Sequence, residues 1–434
     1  MLTHEENRML TGVGAGTPLH KPPSRYWYPV LRSSRLLDRC THKVRLLGET
    51  FVVARRGAEL LAIEERCPHR QTSMLLARVE DGGLRCIYHG WLIGKDGAVR
   101  ETPNERETGG RWGLCVRAPG VREAGGLIWL NMCEDKSEQA PFPDWPWLGL
   151  PEQQVVITDV AQKTNWVQSL EGAIDSSHTT VLHQDHVKSA AQTTASTIIA
   201  KDGIKMKIGR PSADLHPRME VRDTDFGFVY GALRRSMNDP GAHYVRATAY
   251  GFPAYVAFGV AGDLRAQLVF VPVDETHAHF YSIWYSLDAP MDRAARIAWS
   301  GLDPDRDLDD EGYLRRCALP NWGQDRAAMA AGESFAGMMG INVQDTIVQE
   351  SMGPIVDRTK EHLGPGDKAI IHFRRVMLAV ARGESRAATA DFARRMRYGA
   401  LRARDGLLPA GADWTTLYSD EERSHWGAET ANAS

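Results

Sequence analysis

Two short segments hold residues that bind soft metals. One reads Cys67-Pro68-His69-Arg70 and the other Cys86-Ile87-Tyr88-His89-Gly90-Trp91, with the sixteen residues Arg70 to Arg85 between them. A cysteine and a histidine two or three positions apart can both turn inward from a tight loop. Two thiolates with two imidazoles suit either tetrahedral zinc or a [2Fe-2S] cluster in which one iron takes the thiolates and the other the imidazoles. Zinc sites with mixed ligands usually pair Cys with Cys and His with His in separate knuckles. Here each loop offers one of each. That interleaving favours the cluster, with Cys67 and Cys86 on one iron and His69 and His89 on the other. Such a group passes single electrons and needs an acceptor.

The candidate acceptor lies in Asn165 to His183, whose pattern predicts a helix. Glu171, Asp175 and His178 fall at i, i+4 and i+7 and share one helical face. His183 follows His178 by five residues, a rotation of about 140° on a regular helix. Both imidazoles reach one metal only if the helix ends or distorts between them, which the weak helix formers Ser176, Ser177, Thr179 and Thr180 tolerate. Taken alone, the pair reads as polar residues satisfied on an amphipathic helix. Beside a one-electron donor it reads as part of a two-histidine, one-carboxylate iron(II) site, the standard place for activating dioxygen. His186 is a rival ligand.

Both motifs resemble those of the Rieske ring-hydroxylating oxygenases, Cys-x-His with Cys-x2-His and then Glu-x3-Asp-x2-His-x4-His, here Glu171, Asp175, His178 and His183. Thr72 and Tyr88 stand where respiratory Rieske proteins carry a disulfide. The resemblance implies a Rieske [2Fe-2S] cluster and a mononuclear Fe(II) on His178 and His183, with Asp175 linking His178 to His89 of a neighbouring subunit. A hydrogen-bonded carboxylate of that kind fixes both imidazole tautomers and couples the two metals. The third iron ligand is expected at Asp345, with Asp357 as competitor; the adjacent Arg358 points to an ion pair for Asp357 instead.

Met1 to Asn7, Arg25-Tyr26-Trp27-Tyr28-Pro29, and Gln349 to Thr359 followed by Glu361-His362-Leu363-Gly364 look like the phthalate and phenoxybenzoate dioxygenase branch. That branch implies a terminal oxygenase, a homo-oligomer (trimer or dimer of trimers) served by a flavin and iron-sulfur reductase, or by a ferredoxin plus reductase. It uses O2 to hydroxylate an aromatic carboxylate; it also includes O-demethylases of methoxylated aromatic acids. An electron carrier whose second part only binds a partner is the reading of another class, and the second metal motif argues against it. An arginine is expected to pair with the substrate's carboxylate. Of Arg210, Arg218, Arg222, Arg234, Arg235 and Arg246, Arg234 and Arg246 rank first because they lie in or beside apolar β-runs.

The elements that must position these residues follow from length and pattern. At roughly 150 residues per domain, 434 residues give two or three domains. The expected division is an N-terminal segment 1–24, a small all-β Rieske domain 25–136, a Pro/Trp-rich linker 137–153 and a catalytic iron domain 154–434 with a helical C-terminal extension. Val44 to Leu47, Phe51 to Ala54, Leu60 to Ile63 and Gly125 to Asn131 read as strands of the first. In the second, Val155 to Val160, Ile198 to Ile208, Phe226 to Leu233, Tyr244 to Phe258, Leu268 to Val273 and His279 to Leu287 predict a curved antiparallel sheet. Helices are expected at Asp325 to Met339, Asp345 to Met352, Asp367 to Gly383 and Ala388 to Ala403. The fold class is α+β, with a helix-grip type of catalytic domain.

Lys plus Arg total 52 against 55 Asp plus Glu, a net charge of -3, which provides no field for nucleic acid or an anionic membrane. Six cysteines are too few for a disulfide scaffold. The start of the chain lacks the basic and apolar regions of a secretory signal, and no apolar run reaches a membrane span. A cytoplasmic protein is expected.

Overall fold

The computed structural model describes residues 1–105, 113–185, 214–236, 239–259 and 264–426, together with the backbone of 198–199 and 205–206. Short strands joined by turns build the first part. β1 (Trp27–Arg32), β10 (Leu127–Asn131) and β9 (Gly120–Ala124) form one sheet, and β2 (Thr41–Leu46), β3 (Glu49–Arg56) and β4 (Glu59–Glu64) a second. A third holds β5 (Arg78–Glu80), β6 (Gly83–Arg85), β7 (Leu92–Ile93) and β8 (Val99–Glu101). The Cys67 loop leaves β4, and the Cys86 loop connects β6 to β7.

The β2–β3 hairpin turns at Leu47 and Gly48, both at positive φ (51° and 79°), which matches the twist of its strands. Its tip joins the two halves of the molecule: Leu47 N donates to Pro272 O (2.7 Å) and Gly48 N to Val273 O (2.8 Å). The Pro/Trp-rich stretch packs rather than spans. Trp145 and Trp147 are buried against Trp129, with ring centroids 5.9 and 6.3 Å from it. Trp147 Nε1 donates to Gln267 Oε1 (2.8 Å) on the large sheet.

After the short pair β12 (Ile198–Ile199) and β13 (Lys205–Met206), the second part is dominated by one antiparallel sheet. Its strands are β11 (Val155–Gln162), β14 (Arg218–Asp223), β15 (Gly227–Arg235), β16 (Ala242–Gly251), β17 (Tyr255–Phe258), β18 (Leu264–Pro272), β19 (Ala278–Ser286) and β20 (Arg404–Pro409). The order is β11-β19-β18-β17-β16-β15-β14. β17 pairs with β16 at Thr248 to Gly251, and β20 takes the rest of that edge, Ala242 to Ala247. Alternation puts Tyr230, Tyr244, Arg246, Thr248, Phe270 and Trp284 on one face. Helix Trp166–Ile174 packs on β18 and β19 and against helix Ile341–Ser351, while helix Lys368–Ala381 lies by β14 and the first helix, His4–Thr11.

This is the expected α+β architecture, with four local departures. The helix expected at Asp325 to Met339 is only Arg326–Ala330, because Gly332 and Gly337 stand at positive φ (72° and 63°). The helix expected at Ala388 to Ala403 shrinks to Ala390–Arg394, and the chain beyond it becomes β20. Tyr244 to Phe258 is two strands around a turn at Phe252 to Ala254. β14 had no counterpart in the sequence pattern. Most of Ile198 to Ile208, with His186 and Arg210, lies outside the described residues.

Candidate functional site

The two cysteine–histidine loops share one backbone design. Cys67 O accepts from Gln71 N (2.9 Å) and Cys86 O from Gly90 N (3.0 Å), while Cys67 N donates to Thr72 O and Cys86 N to Trp91 O, both at 2.9 Å. In each loop the residue four past the cysteine turns left-handed, Gln71 at φ 61° and Gly90 at φ 78°. The result is two facing knuckles. Cys67 and Cys86 are buried and in contact with each other; burial pushes the Cys67 thiol up, and the neighbouring Cys86 pushes it further. The rings of His69 and His89 lie 4.4 Å apart, and His69 stacks on Trp91 at 4.7 Å. Trp91 is pinned in turn by Nε1 donating to Asn104 Oδ1 (2.8 Å). Paired thiols beside paired imidazoles form a donor set that fits a [2Fe-2S] cluster with unlike irons. Cys40 and Cys115 are exposed, Cys133 and Cys317 are half-buried, and all four are free thiols.

The helix that carries the second motif is shorter than its pattern. Asn165 caps it, accepting from Val167 N, and it runs from Trp166 to Ile174 and ends on Asp175. A separate 3-10 turn, His178–Thr180, follows. Asp175 holds this break together: Oδ1 accepts from Ser177 N (2.6 Å), and Oδ2 faces His178 Nδ1 at 3.2 Å. A carboxylate only accepts, so His178 Nδ1 carries the proton and Nε2 keeps its lone pair. Gln344 does the same for His183: its amide donates to Met338 O (2.8 Å), which turns its oxygen to His183 Nδ1 at 2.6 Å.

Both Nε2 atoms then converge on Asp345 Oδ1, at 3.5 Å from His178 and 3.1 Å from His183. The three ligand atoms lie within 4.8 Å of one another. Lone pairs converging on one point, with both remote nitrogens already hydrogen-bonded, fit a divalent cation in a two-histidine, one-carboxylate site. Burial opposes charge here, yet the carboxylates of Asp175 and Asp345 raise His178 above its usual value. Against the same opposition, His183 and His178 hold Asp345 below its own.

This cluster borders a cavity of about 970 Å3, open solvent at its mouth included, between the sheet face and the two covering helices. Its walls are mostly apolar, with Phe258, Leu268, Phe270, Phe280 and Trp284. Arg246 lines it as well, 4.8 Å from the Phe258 ring. A polar floor is locked internally: Ser169 Oγ donates to Gln162 Oε1, and Gln162 Nε2 to Thr346 Oγ1 (3.1 Å) and Gln349 Oε1 (3.0 Å). No helix among the described residues is long and apolar enough to cross a membrane.

Residues 26–119 match the model of the Rieske [2Fe-2S] domain, and residues 131–433 match that of the LigXa C-terminal domain like family. The chain is also 34% identical to the phthalate 4,5-dioxygenase oxygenase subunit of Pseudomonas putida, over 100% of this chain and 98% of that one. It is an oxygenase subunit of the Rieske oxygenase family. It is 30% identical to the 3-chlorobenzoate-3,4-dioxygenase oxygenase subunit of Comamonas testosteroni (96% and 98% covered). To the 5,5'-dehydrodivanillate O-demethylase oxygenase subunit of a Sphingobium species it is 28% identical (88% and 82%). In fold it is similar to Pseudomonas putida CBB5 NdmA with caffeine, at a TM-score of 0.56 and 17% identity, over 90% of this chain and 98% of that one. The complex between oxygenase and ferredoxin in carbazole 1,9a-dioxygenase gives 0.55 and 18% (86% and 90%). As a member of that family the protein is an oxidoreductase that incorporates oxygen, built on a Rieske [2Fe-2S] cluster and a mononuclear iron.

Within the oxygenase subunit, the structure gathers Cys67, His69, Cys86 and His89 in one place, and Asp175, His178, His183 and Asp345 in another. Glu171 is not among the second group. It is buried in an ion-pair knot, Oε2 on Arg358 (2.9 Å) and Oε1 on Arg374 (2.6 Å). Arg358 therefore does not pair with Asp357, which binds Lys360 (3.1 Å) and the Thr359 hydroxyl instead. Arg234 shares the cavity-facing side of β15 but is buried, and its Nη2 donates to Ser176 O (2.5 Å). It does not line the cavity, whereas Arg246 does. The residues that sequence reasoning missed are Gln344, Gln162 and Tyr244. Gln344 stands beside the expected ligand Asp345, and that adjacency was the signal available.

Proposed function

We propose that this oxygenase subunit is the terminal oxygenase component of a system that hydroxylates an aromatic carboxylate. The observation that carries this reading is one cavity with the His178, His183 and Asp345 cluster at one side and the guanidinium of Arg246 among aromatic walls at another. Cys67, His69, Cys86 and His89, in a cluster domain of residues 25–136, hold the [2Fe-2S] group; His178, His183 and Asp345, in a catalytic domain of residues 154–434, hold the mononuclear iron. When bound, the cluster supplies single electrons and the ferrous iron supplies the activation of dioxygen.

The chain's own residues do the rest. Arg246 takes the substrate's carboxylate bidentately. Phe258, Phe270, Phe280 and Trp284 sandwich the ring and exclude water. Asp175 and Gln344 keep the proton on Nδ1 of His178 and His183, so each Nε2 stays a ligand. Arg234 is a positioning residue that holds the Ser176 carbonyl and with it the break after Asp175. In a homo-oligomer, a trimer or dimer of trimers, Asp175 bridges His178 to His89 of a second copy of the chain. Electrons come from a flavin and iron-sulfur reductase, or from a ferredoxin plus reductase; the likeness of fold to an oxygenase in a ferredoxin complex supports such a partner. The system works in the cytoplasm.

A second reading, oxidation of a methoxy carbon to give phenol and formaldehyde, is favoured by the O-demethylase relative. The test is substrate-dependent oxygen uptake by the reconstituted system with benzoate, phthalate and methoxybenzoates. A cis-diol product marks ring dioxygenation and formaldehyde marks demethylation. Oxygen uptake that no aromatic acid stimulates would refute the proposal.

A further inference from the structure

Arg234 and Arg246 lie on the same face of β15 and β16, where Tyr230, Tyr244 and Thr248 also stand. Only one of the two guanidiniums serves the cavity. Arg234 is consumed by Ser176, whose carbonyl and hydroxyl it binds from a site only 1% exposed. Arg246 lines the cavity and makes no ion pair within 4 Å among the described residues. The strand beside it then brings in a negative charge. In the β16–β20 register Asp405 is directly opposite Arg246, on the same face. Tyr244 Oη donates to Asp405 Oδ2 at 3.2 Å. A phenol has one proton to give, and in this bond Tyr244, which also lines the cavity, gives it to Asp405.

We propose that Asp405 is a specificity-determining residue that restricts the cavity to aromatic acids bearing a single carboxylate. This rests on the aromatic-carboxylate reading above. One carboxylate meets Arg246 at contact distance, where the bidentate pair outweighs a counter-charge set behind Tyr244. A second carboxylate on the same ring finds no second arginine or lysine on the cavity wall among the described residues. The negative charge it meets there is Asp405, opposite Arg246 across the β16–β20 pair. Neutral substituents such as hydroxyl, methoxy or chloro meet no such repulsion. Burial pushes the Asp405 carboxyl above its usual range, and Tyr244, Arg246 and Arg265 counter that only in part.

The test is calorimetric binding of benzoate and phthalate, at neutral pH and without oxygen, to the iron-loaded protein and its variants. The wild type should bind benzoate about tenfold or more tighter than phthalate, the size of one unit charge repelling another across a partly desolvated site. Asp405→Asn should bring the two affinities close to parity, and Asp405→Glu should restore the difference. Equal affinities in the wild type, or a ratio unchanged in Asp405→Asn while Arg246→Gln still abolishes benzoate binding, would overturn the inference and leave the carboxylate reading standing. Failure of every protein to bind either acid would overturn both. If Asp405→Asn does not fold, Tyr244→Phe gives a second readout. Freed of its hydroxyl partner, Asp405 turns to Arg246 and weakens benzoate binding by about tenfold; no change in either affinity would overturn the proposal.

Discussion

Replacing Glu171 with glutamine tests whether charge holds the iron site from behind. Glu171 sits on helix Trp166–Ile174, which delivers Asp175 and the turn that follows it. Its carboxylate accepts from Arg374 Nε (2.6 Å), Arg374 Nη2 (3.1 Å) and Arg358 Nη2 (2.9 Å). The Arg358 side chain is 0% exposed and that of Arg374 5%. Removing one partner of a buried ion pair costs about 3–5 kcal/mol, because the other charge is left desolvated and unpaired. Here the loss falls unevenly. Arg374 keeps Glu361 (2.5 Å), whereas Arg358 is left with Asn7 Oδ1 at 3.1 Å and, among the described residues, no carboxylate. One orphaned guanidinium puts Glu171→Gln near the lower end, about 3 kcal/mol, or roughly 5–10 °C in the unfolding midpoint.

The assay has three parts: thermal unfolding, iron content and the spectrum of the reduced cluster. The midpoint should fall and mononuclear iron should be lost, while the cluster's absorbance and EPR signal persist, since no cluster ligand lies on that helix. A double variant, Glu171→Gln with Arg358→Met, removes the orphan and should recover about half of the loss. Acid provides the sign. Burial works against the Glu171 charge, but Arg358 and Arg374 hold its carboxyl below the usual range. The stabilisation is therefore complete above the ordinary glutamate value, about 4.3, and drains away as the pH falls through the lowered folded value. The wild type should converge on the glutamine variant in acid and separate from it at neutral pH. A single variant within about 1 kcal/mol of wild type with full iron, or a double variant less stable than the single, would refute the reasoning.

Asp175→Asn should leave cluster and iron bound yet slow reoxidation of the reduced cluster by about 100-fold in stopped-flow single turnovers; wild-type rates would sink the bridging role. Asp345→Ala or His183→Ala should lower total iron from about three to about two per chain without altering the cluster spectrum. Gln344→Leu removes the partner of His183 Nδ1 and should weaken mononuclear iron binding by about 10- to 100-fold in a competition titration. Arg246→Gln should lower kcat/KM for an aromatic carboxylate by about 10- to 150-fold, through KM, and spare its uncharged amide analogue.

What the sequence disclosed follows the range of the interactions involved. The cluster loops are local: Cys67 with His69, and Cys86 with His89, are set by hydrogen bonds that reach four and five residues along the chain. Their chemistry could therefore be read from spacing. His178 and His183 were equally local, but the helical period put Glu171 on one face with Asp175 and His178. A rule of i, i+4 and i+7 assumes that the helix continues, and Asp175 ends it by capturing the amide of Ser177. Asp345 arrives from far along the chain, and resemblance rather than spacing pointed to it.

Arg234 and Arg246 ranked together because both lie in or beside apolar β-runs, and the structure puts both on one face of the sheet. What separated them was the carbonyl of Ser176, which spacing along β15 and β16 does not encode. Asp405 was the hardest to see. Its segment reads as the tail of a helical extension, and it becomes a strand only because β17 leaves half of one edge of β16 open. That edge would otherwise expose unpaired backbone groups beside the cavity. Covering it with β20 satisfies the sheet and, in the same step, sets a carboxylate opposite the arginine that meets substrate. The motif that performs the chemistry is therefore fixed locally, whereas the charge that selects among substrates is fixed by a pairing between strands more than 150 residues apart.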